Sequence, residues 1–238
     1  MGTFGRLYVL FLRLQATRGR MIGMLALGAV AVLVGLAMAL SDARDLDPTV
    51  GRDLVDGFGL GIVAPVISLI VASSALGDLV DDNTLVYVWL RPVARWQLAV
   101  AAAASTLTLT LPLVLIPVIG QAALVDKGYG LVGAAAAAAA IATVAYGCVF
   151  VGLGFKVRRS LVWGLAYVLI WENAVARVAS GAARISIQSY ATSLLHRMSE
   201  GAPPLFAPPR TSSVVVPLVV SAVALALTAR WLRRTEVA

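Results

Sequence analysis

The residues able to do chemistry in this chain are few, and their types exclude most reactions. There is one cysteine, Cys148, and one histidine, His196. A disulfide framework needs paired cysteines, and a multi-histidine or cysteine-rich zinc site needs several of each. Neither is possible within one chain, so no metal site is expected. The two lysines, Lys127 and Lys156, are not followed by Ser or Thr. The phosphate loop G-x-x-x-x-G-K-[ST] needs that hydroxyl beside its lysine, so nucleotide hydrolysis by this route is excluded. A serine–histidine intramembrane protease needs its histidine within a span, whereas His196 falls in a loop. No catalytic residue is assigned. What remains is polar residues set in apolar sequence. Glu172 with Asn173 stands in one such run and Ser68 in another, and Asp78, Asp81 and Asp82 precede Arg91 and Arg95 in a short link. Carboxylates inside apolar runs face protein or a water-filled cavity, because lipid solvates them badly.

These residues must be positioned by apolar helices. Of the 238 residues, 60% are hydrophobic and 13% charged, with a mean hydropathy of +0.91. A soluble domain carries about a quarter charged residues, and disorder needs low hydrophobicity, so both classes are excluded. A bilayer-spanning helix takes about 20 predominantly apolar residues. Six such spans are read, at about residues 21–40, 57–76, 98–120, 131–154, 161–179 and 211–230. The fifth, 161–179, contains Glu172, Asn173 and Arg177. Its uninterrupted apolar residues 161–171 offset a penalty of about 2.5–3.5 kcal/mol for one carboxylate.

Orientation follows the positive charges. Arg6, Arg13, Arg18 and Arg20 precede the first span, and five aspartates (Asp42, Asp45, Asp47, Asp53, Asp56) follow it. The N-terminus is therefore expected inside, and six spans return the C-terminus to the same side. That side then holds twelve of the nineteen basic residues, although omitting the fifth span gives a similar bias. The net charge of +7 is accordingly read as arginines at membrane edges rather than as nucleic-acid binding. The first 20 residues read as an interfacial helix, with Arg6, Arg13 and Arg20 on one face and Phe4, Leu7, Tyr8, Phe11 and Leu14 on the other. A topogenic anchor is the simpler reading of the same residues. Ala37-Met38-Ala39 resembles a signal-cleavage site, but the leader and apolar run are both long for a signal peptide. Asp53-x-x-Asp56-Gly57 resembles the opening of the membrane alcohol-phosphatidyltransferase motif. Leu60-Gly61 stand where that motif has Ala-Arg, and its later aspartates are missing.

The outer segment 180–210 carries Ile187, Ala191, Leu194, Leu195 and Met198 at helical spacing, then Pro203-Pro204 and Pro208-Pro209. An amphipathic helix is expected there, lying on the outer face or re-entering it. The cytoplasmic link 77–97 is the most informative. Asp81, Asp82 and Asn83 suit an N-cap and first turn, and Leu85, Val88 and Trp89 repeat at helical spacing. Arg91 suits the C-terminal end, and Pro92 stops the helix.

This link resembles the signature of ABC-2-type transporter permeases. Those show an acidic cluster after the second span, then Gly-Thr-Leu, a few apolar residues, and Pro-x-x-Arg. Here Asp78, Asp81 and Asp82 supply the acids, Asn83-Thr84-Leu85 replaces Gly-Thr-Leu, and Pro92-Val93-Ala94-Arg95 closes the motif. The basic leader, six spans and a helix before the last span agree with the family pattern. The resemblance implies an all-α, type V exporter-like transmembrane domain in the inner membrane, without its own motor. It would form the substrate pathway with a second permease copy, and two separate ATPase subunits would bind ATP and Mg. Asp78, Asp81, Asp82, Thr84, Leu85, Val88, Trp89, Arg91 and Arg95 would then couple to the ATPase. Spans two and five line the dimer interface in such permeases, so Glu172, Asn173 and Ser68 would face the pathway; a pair between Glu172 and Arg177 is the competing role. A self-sufficient carrier, a channel or a membrane-embedded enzyme remain the alternatives. No internal repeat favours a carrier.

Overall fold

The computed structural model describes residues 3–41, 49–82, 94–126, 128, 130–199 and 206–234, and among these every regular element is a helix. The order is α1 (Thr3–Gln15), α2 (Arg18–Leu40), α3 (Thr49–Asp81), α4 (Arg95–Val125), α5 (Leu131–Lys156), α6 (Ser160–Val175, continued by Ala176–Val178), a single turn Ser180–Ala183, α7 (Ile187–Met198) and α8 (Arg210–Arg234). Five of these, α2, α3, α4, α5 and α8, are long and apolar enough to cross a membrane. Helix α6 is apolar but shorter. The second apolar run extends well beyond its expected start, because helix α3 already begins at Thr49 and takes in Asp53 and Asp56.

The bundle is apolar on its outside. On α2, Ile22, Leu33 and Leu40 are more than half exposed, and so are Val162, Trp163 and Ile170 on α6. Water would not tolerate so much exposed apolar surface on a monomer. With five apolar helices of spanning length, the chain is an all-α, multi-pass membrane protein.

Inside the bundle, small residues let backbones approach, as association without a hydrophobic drive requires. The buried face of α2 is Met24, Gly28, Ala31 and Gly35, one residue per turn. Gly28 lies against the Pro117 ring and Gly35 against Gln121 of α4. Helices α3 and α5 meet more tightly: a Cβ on Gly154 would stand 2.6 Å from the Ser73 carbonyl oxygen. Both partners there are backbone, so neither can yield by changing rotamer. Gly154→Ala is therefore expected to prise α3 from α5 and sharply lower the yield of folded, monodisperse protein. Size-exclusion chromatography of a fluorescent fusion measures this, and a wild-type profile would refute the packing argument.

The leader helix packs onto the bundle. Leu7 and Phe11 are buried against the bundle, while Phe4 remains exposed. Tyr8 Oη donates to Thr108 Oγ1 at 2.9 Å, and Gln15 Nε2 donates to Ser105 Oγ at 2.9 Å. The apolar face anticipated for the lipid surface is thus turned partly onto α4.

Helix α6 runs antiparallel to α3. Ser160 lies near Gly77, Gly164 abuts Leu69, and Asn173 bonds to Gly61. Two ends of the bundle follow from these contacts. One gathers Arg20, Asp78, Lys156 and Trp231, joined by the Arg20–Asp78 ion pair, the Gly77–Gly154 contact and Lys156 over the Trp231 ring. The other gathers Arg52, Asp56, Glu172 and α7.

Candidate functional site

Helix α7 is held at this second end by three side chains from α3 and α6, Arg52, Asp56 and Glu172. Its N-cap is Ser186, whose Oγ accepts from the Ser189 backbone N–H. The backbone N–H groups of Ile187 and Gln188 point at the Glu172 carboxylate, at 3.2 and 3.3 Å. The Ser186 hydroxyl donates to the same carboxylate, and Tyr167 Oη donates to it at 2.6 Å. Glu172 is 1% exposed, so four hydrogen bonds replace its water. The first turn of a helix offers unpaired N–H groups and partial positive charge, which is what a buried carboxylate needs.

The opposite end of α7 meets the opposite charge. Arg52 Nε donates to Ser199 Oγ at 2.9 Å, and its Nη2 donates to the Ser199 carbonyl. Arg52 is only 5% exposed. A cation at a helix C-terminus is favoured by the same dipole. Between the ends, Thr192 Oγ1 donates to Asp56 Oδ1. Ile187, Ala191, Leu194 and Leu195 are buried, whereas Met198 is 39% exposed. Helix α7 is thus clamped onto the bundle by a carboxylate, a guanidinium and an apolar stripe.

The supports for this clamp are two stretches of π-helix. Val55–Val63 of α3 and Tyr167–Val175 of α6 are both wound this way. Such segments concentrate at functional sites. Asn173 joins them, its Nδ2 donating to the Gly61 carbonyl at 2.9 Å and the Val168 carbonyl at 3.0 Å. Backbone polar groups at membrane depth must be satisfied inside the protein, and this amide does so for one carbonyl in each stretch. An aromatic ladder backs Glu172: Tyr146 stacks on Phe150 with centroids 5.6 Å apart, and Phe150 meets Tyr167 edge-on at 6.4 Å.

Glu172 and Asn173 therefore stand side by side but serve different partners. Ser68 is fully buried on α3, two helical turns beyond Gly61, and no hydrogen bond among the described residues joins it to either. The side chain of Arg177 lies outside the described residues, whereas the Glu172 partners are those given above.

The arginine-rich end holds the other predicted residues. Asp81 ends α3 and Asp82 is its C-cap, and the helix expected to follow them lies outside the described residues. Asp78 pairs with Arg20 at 2.8 Å, and Asp81 and Asp82 are exposed. Arg95 opens α4. Thr84, Leu85, Val88, Trp89 and Arg91 lie outside the described residues.

Sequence pattern gives Arg52 no role beyond a charge after the first span and places Asp56 only in that acidic stretch and the partial phosphatidyltransferase-like motif, and it singles out none of Ser186, Thr192 and Ser199. Ser186 alone carried a usable signal, a serine directly before a helical apolar repeat. Compared with known proteins, the chain matches no family model and no curated protein.

Proposed function

We propose that this chain is the permease subunit of an ABC-2-type exporter of the type V kind. In this reading it has six membrane segments with both termini inside, and resides in the inner membrane. It forms the substrate pathway as a homodimer and is driven by two separate ATPase subunits that hold the ATP and Mg. The observation carrying this reading is the acidic end of α3. Asp78, Asp81 and Asp82 crowd the last turn of a 33-residue helix. Carboxylates at a helix C-terminus oppose its dipole, each by about 0.3–1 kcal/mol. Only Asp78 among them has a salt bridge among the described residues. Residues that weaken their own helix and stay exposed fit a surface that serves a partner. The motif continues into Thr84-Leu85 and Pro92-x-x-Arg95, so that partner is read as the ATPase.

Two further features support the reading. Helix α6 runs beside α3 from the arginine-rich end to the α7 end, which suits a short sixth crossing. Its outward face, with Val162, Trp163 and Ile170 exposed, suits a second permease copy. In this assembly Glu172, Asn173 and Ser68 lie on or behind the wall of the pathway, and the clamped α7 closes its outer end.

The test is composition. The tagged chain, purified from its native membrane in mild detergent, is expected to carry two permease copies and two ATPase copies by native mass spectrometry. The co-purified subunit should contain the phosphate loop that this chain lacks. A single permease copy without any ATPase would overturn the assignment.

A further inference from the structure

Helices α5 and α8 leave between them an apolar groove of about 430 Å³. Its floor is Gly152, where a Cβ would stand 2.7 Å from Thr228 Oγ1. Its wall on α8 is Val219, Val223, Leu227 and Trp231, spaced by four residues and so aligned along one face. Val219, Val223 and Leu227 are 54%, 51% and 42% exposed, so no described residue of this chain covers that wall. Twelve residues of helix rise about 18 Å, close to one leaflet of a hydrocarbon core of about 30 Å.

The groove is polar at one end only. There Lys156 is exposed and lies over the Trp231 ring, 6.0 Å from its centroid. Arg158 and Arg159 follow Lys156, and Arg230, Arg233 and Arg234 flank Trp231; all five are exposed. Tryptophan and basic residues together mark the headgroup level of a bilayer. Basic pockets between membrane helices recognise anionic headgroups.

From this arrangement we propose that the groove binds an anionic phospholipid. One acyl chain lies along Val219, Val223 and Leu227, and the phosphate sits at Lys156 within the field of the α8 arginines. A second copy of this chain fits the groove less well. A twofold contact through α8 sets the same patch against itself, which brings two arginine-rich ends together at the same depth. The proposal rests on membrane placement alone and stands or falls separately from the permease reading.

The experiment is native mass spectrometry in uncharged detergent. The purified full chain is offered equimolar phosphatidylglycerol and phosphatidylcholine with matched acyl chains. Phosphatidylglycerol is expected to be retained at least about fivefold better, the equivalent of about one basic contact at the headgroup. Lys156→Gln should remove most of that preference, while Arg6→Gln on the leader helix should not. Val223→Trp, on the lipid-facing surface, should fill the groove and reduce retention of both lipids. Equal retention of the two lipids by the wild type would overturn the proposal. So would a preference lost equally in Arg6→Gln, or disulfide-linked dimers of Val223→Cys in place of lipid retention.

Discussion

Glu172→Gln is expected to lower the thermal midpoint of the purified protein markedly, and Glu172→Ala to prevent its assembly. Each carboxylate oxygen takes two hydrogen bonds, Tyr167 Oη and the Ile187 N–H on one, the Ser186 hydroxyl and the Gln188 N–H on the other. Glutamine keeps one such oxygen and turns an NH2 toward the other pair of donors. A hydroxyl can rotate to accept from that NH2, but a backbone N–H cannot. One first-turn N–H is then buried without a partner, at about 1–3 kcal/mol, and the favourable charge at the α7 dipole is also lost. Alanine orphans all four donors. Differential scanning fluorimetry in detergent measures the first variant, and the yield of monodisperse protein the second. A wild-type midpoint for Glu172→Gln would defeat the capping role. Full stability with lost transport would instead make Glu172 a pathway residue. Rescue of Glu172→Gln by Arg177→Gln would assign the carboxylate to an ion pair.

The parts of this architecture that could be read from sequence are those that depend on local pattern. Uncharged runs of spanning length predicted the long helices, because length and apolarity are nearly the whole requirement in lipid. The 187–198 period predicted α7, and Glu172 stood out because a carboxylate is rare in such a run. Its role did not follow, since two of its four donors are backbone N–H groups that any residue would provide. Arg52 is the sharper case. It looked like a loop charge beside several aspartates, yet it is buried on Ser199, 147 residues away. No periodicity reports a pairing of that separation. The π-wound stretches were invisible for a related reason: the Asn173 amide that joins them reaches across to Gly61, 112 residues away. The acidic cluster was legible only in part. Aspartate is favoured at helix starts, so Asp81 and Asp82 read as the opening of a helix whose residues lie outside those described, while their place at the end of α3 did not show in the pattern. That departure from preference makes their placement informative.

On the proposed permease reading, Trp89→Ala is expected to release the ATPase from this chain while leaving the chain inserted in the membrane. The link joins the end of α3 to Arg95 at the start of α4, so its two ends emerge from helices of the arginine-rich end. In the helix expected from its sequence, Leu85, Val88 and Trp89 would share one face, flanked by Asp81, Asp82, Arg91 and Arg95. A helix of this kind docks by seating bulky apolar residues in a groove, with charges fixing its register at the rim. Truncating a central aromatic anchor costs about 2 kcal/mol or more, roughly a thirtyfold loss of affinity. Rim charges cost far less, so Asp82→Asn should weaken association only slightly. The difference between the two variants is the discriminating quantity. Co-purification of the ATPase with each tagged variant measures association, and ATP-dependent transport in proteoliposomes measures coupling. Unchanged association and transport in Trp89→Ala would remove the link from the coupling role. Equal losses in Trp89→Ala and Asp82→Asn would replace a buried anchor with an electrostatic contact, which should then weaken steeply with salt.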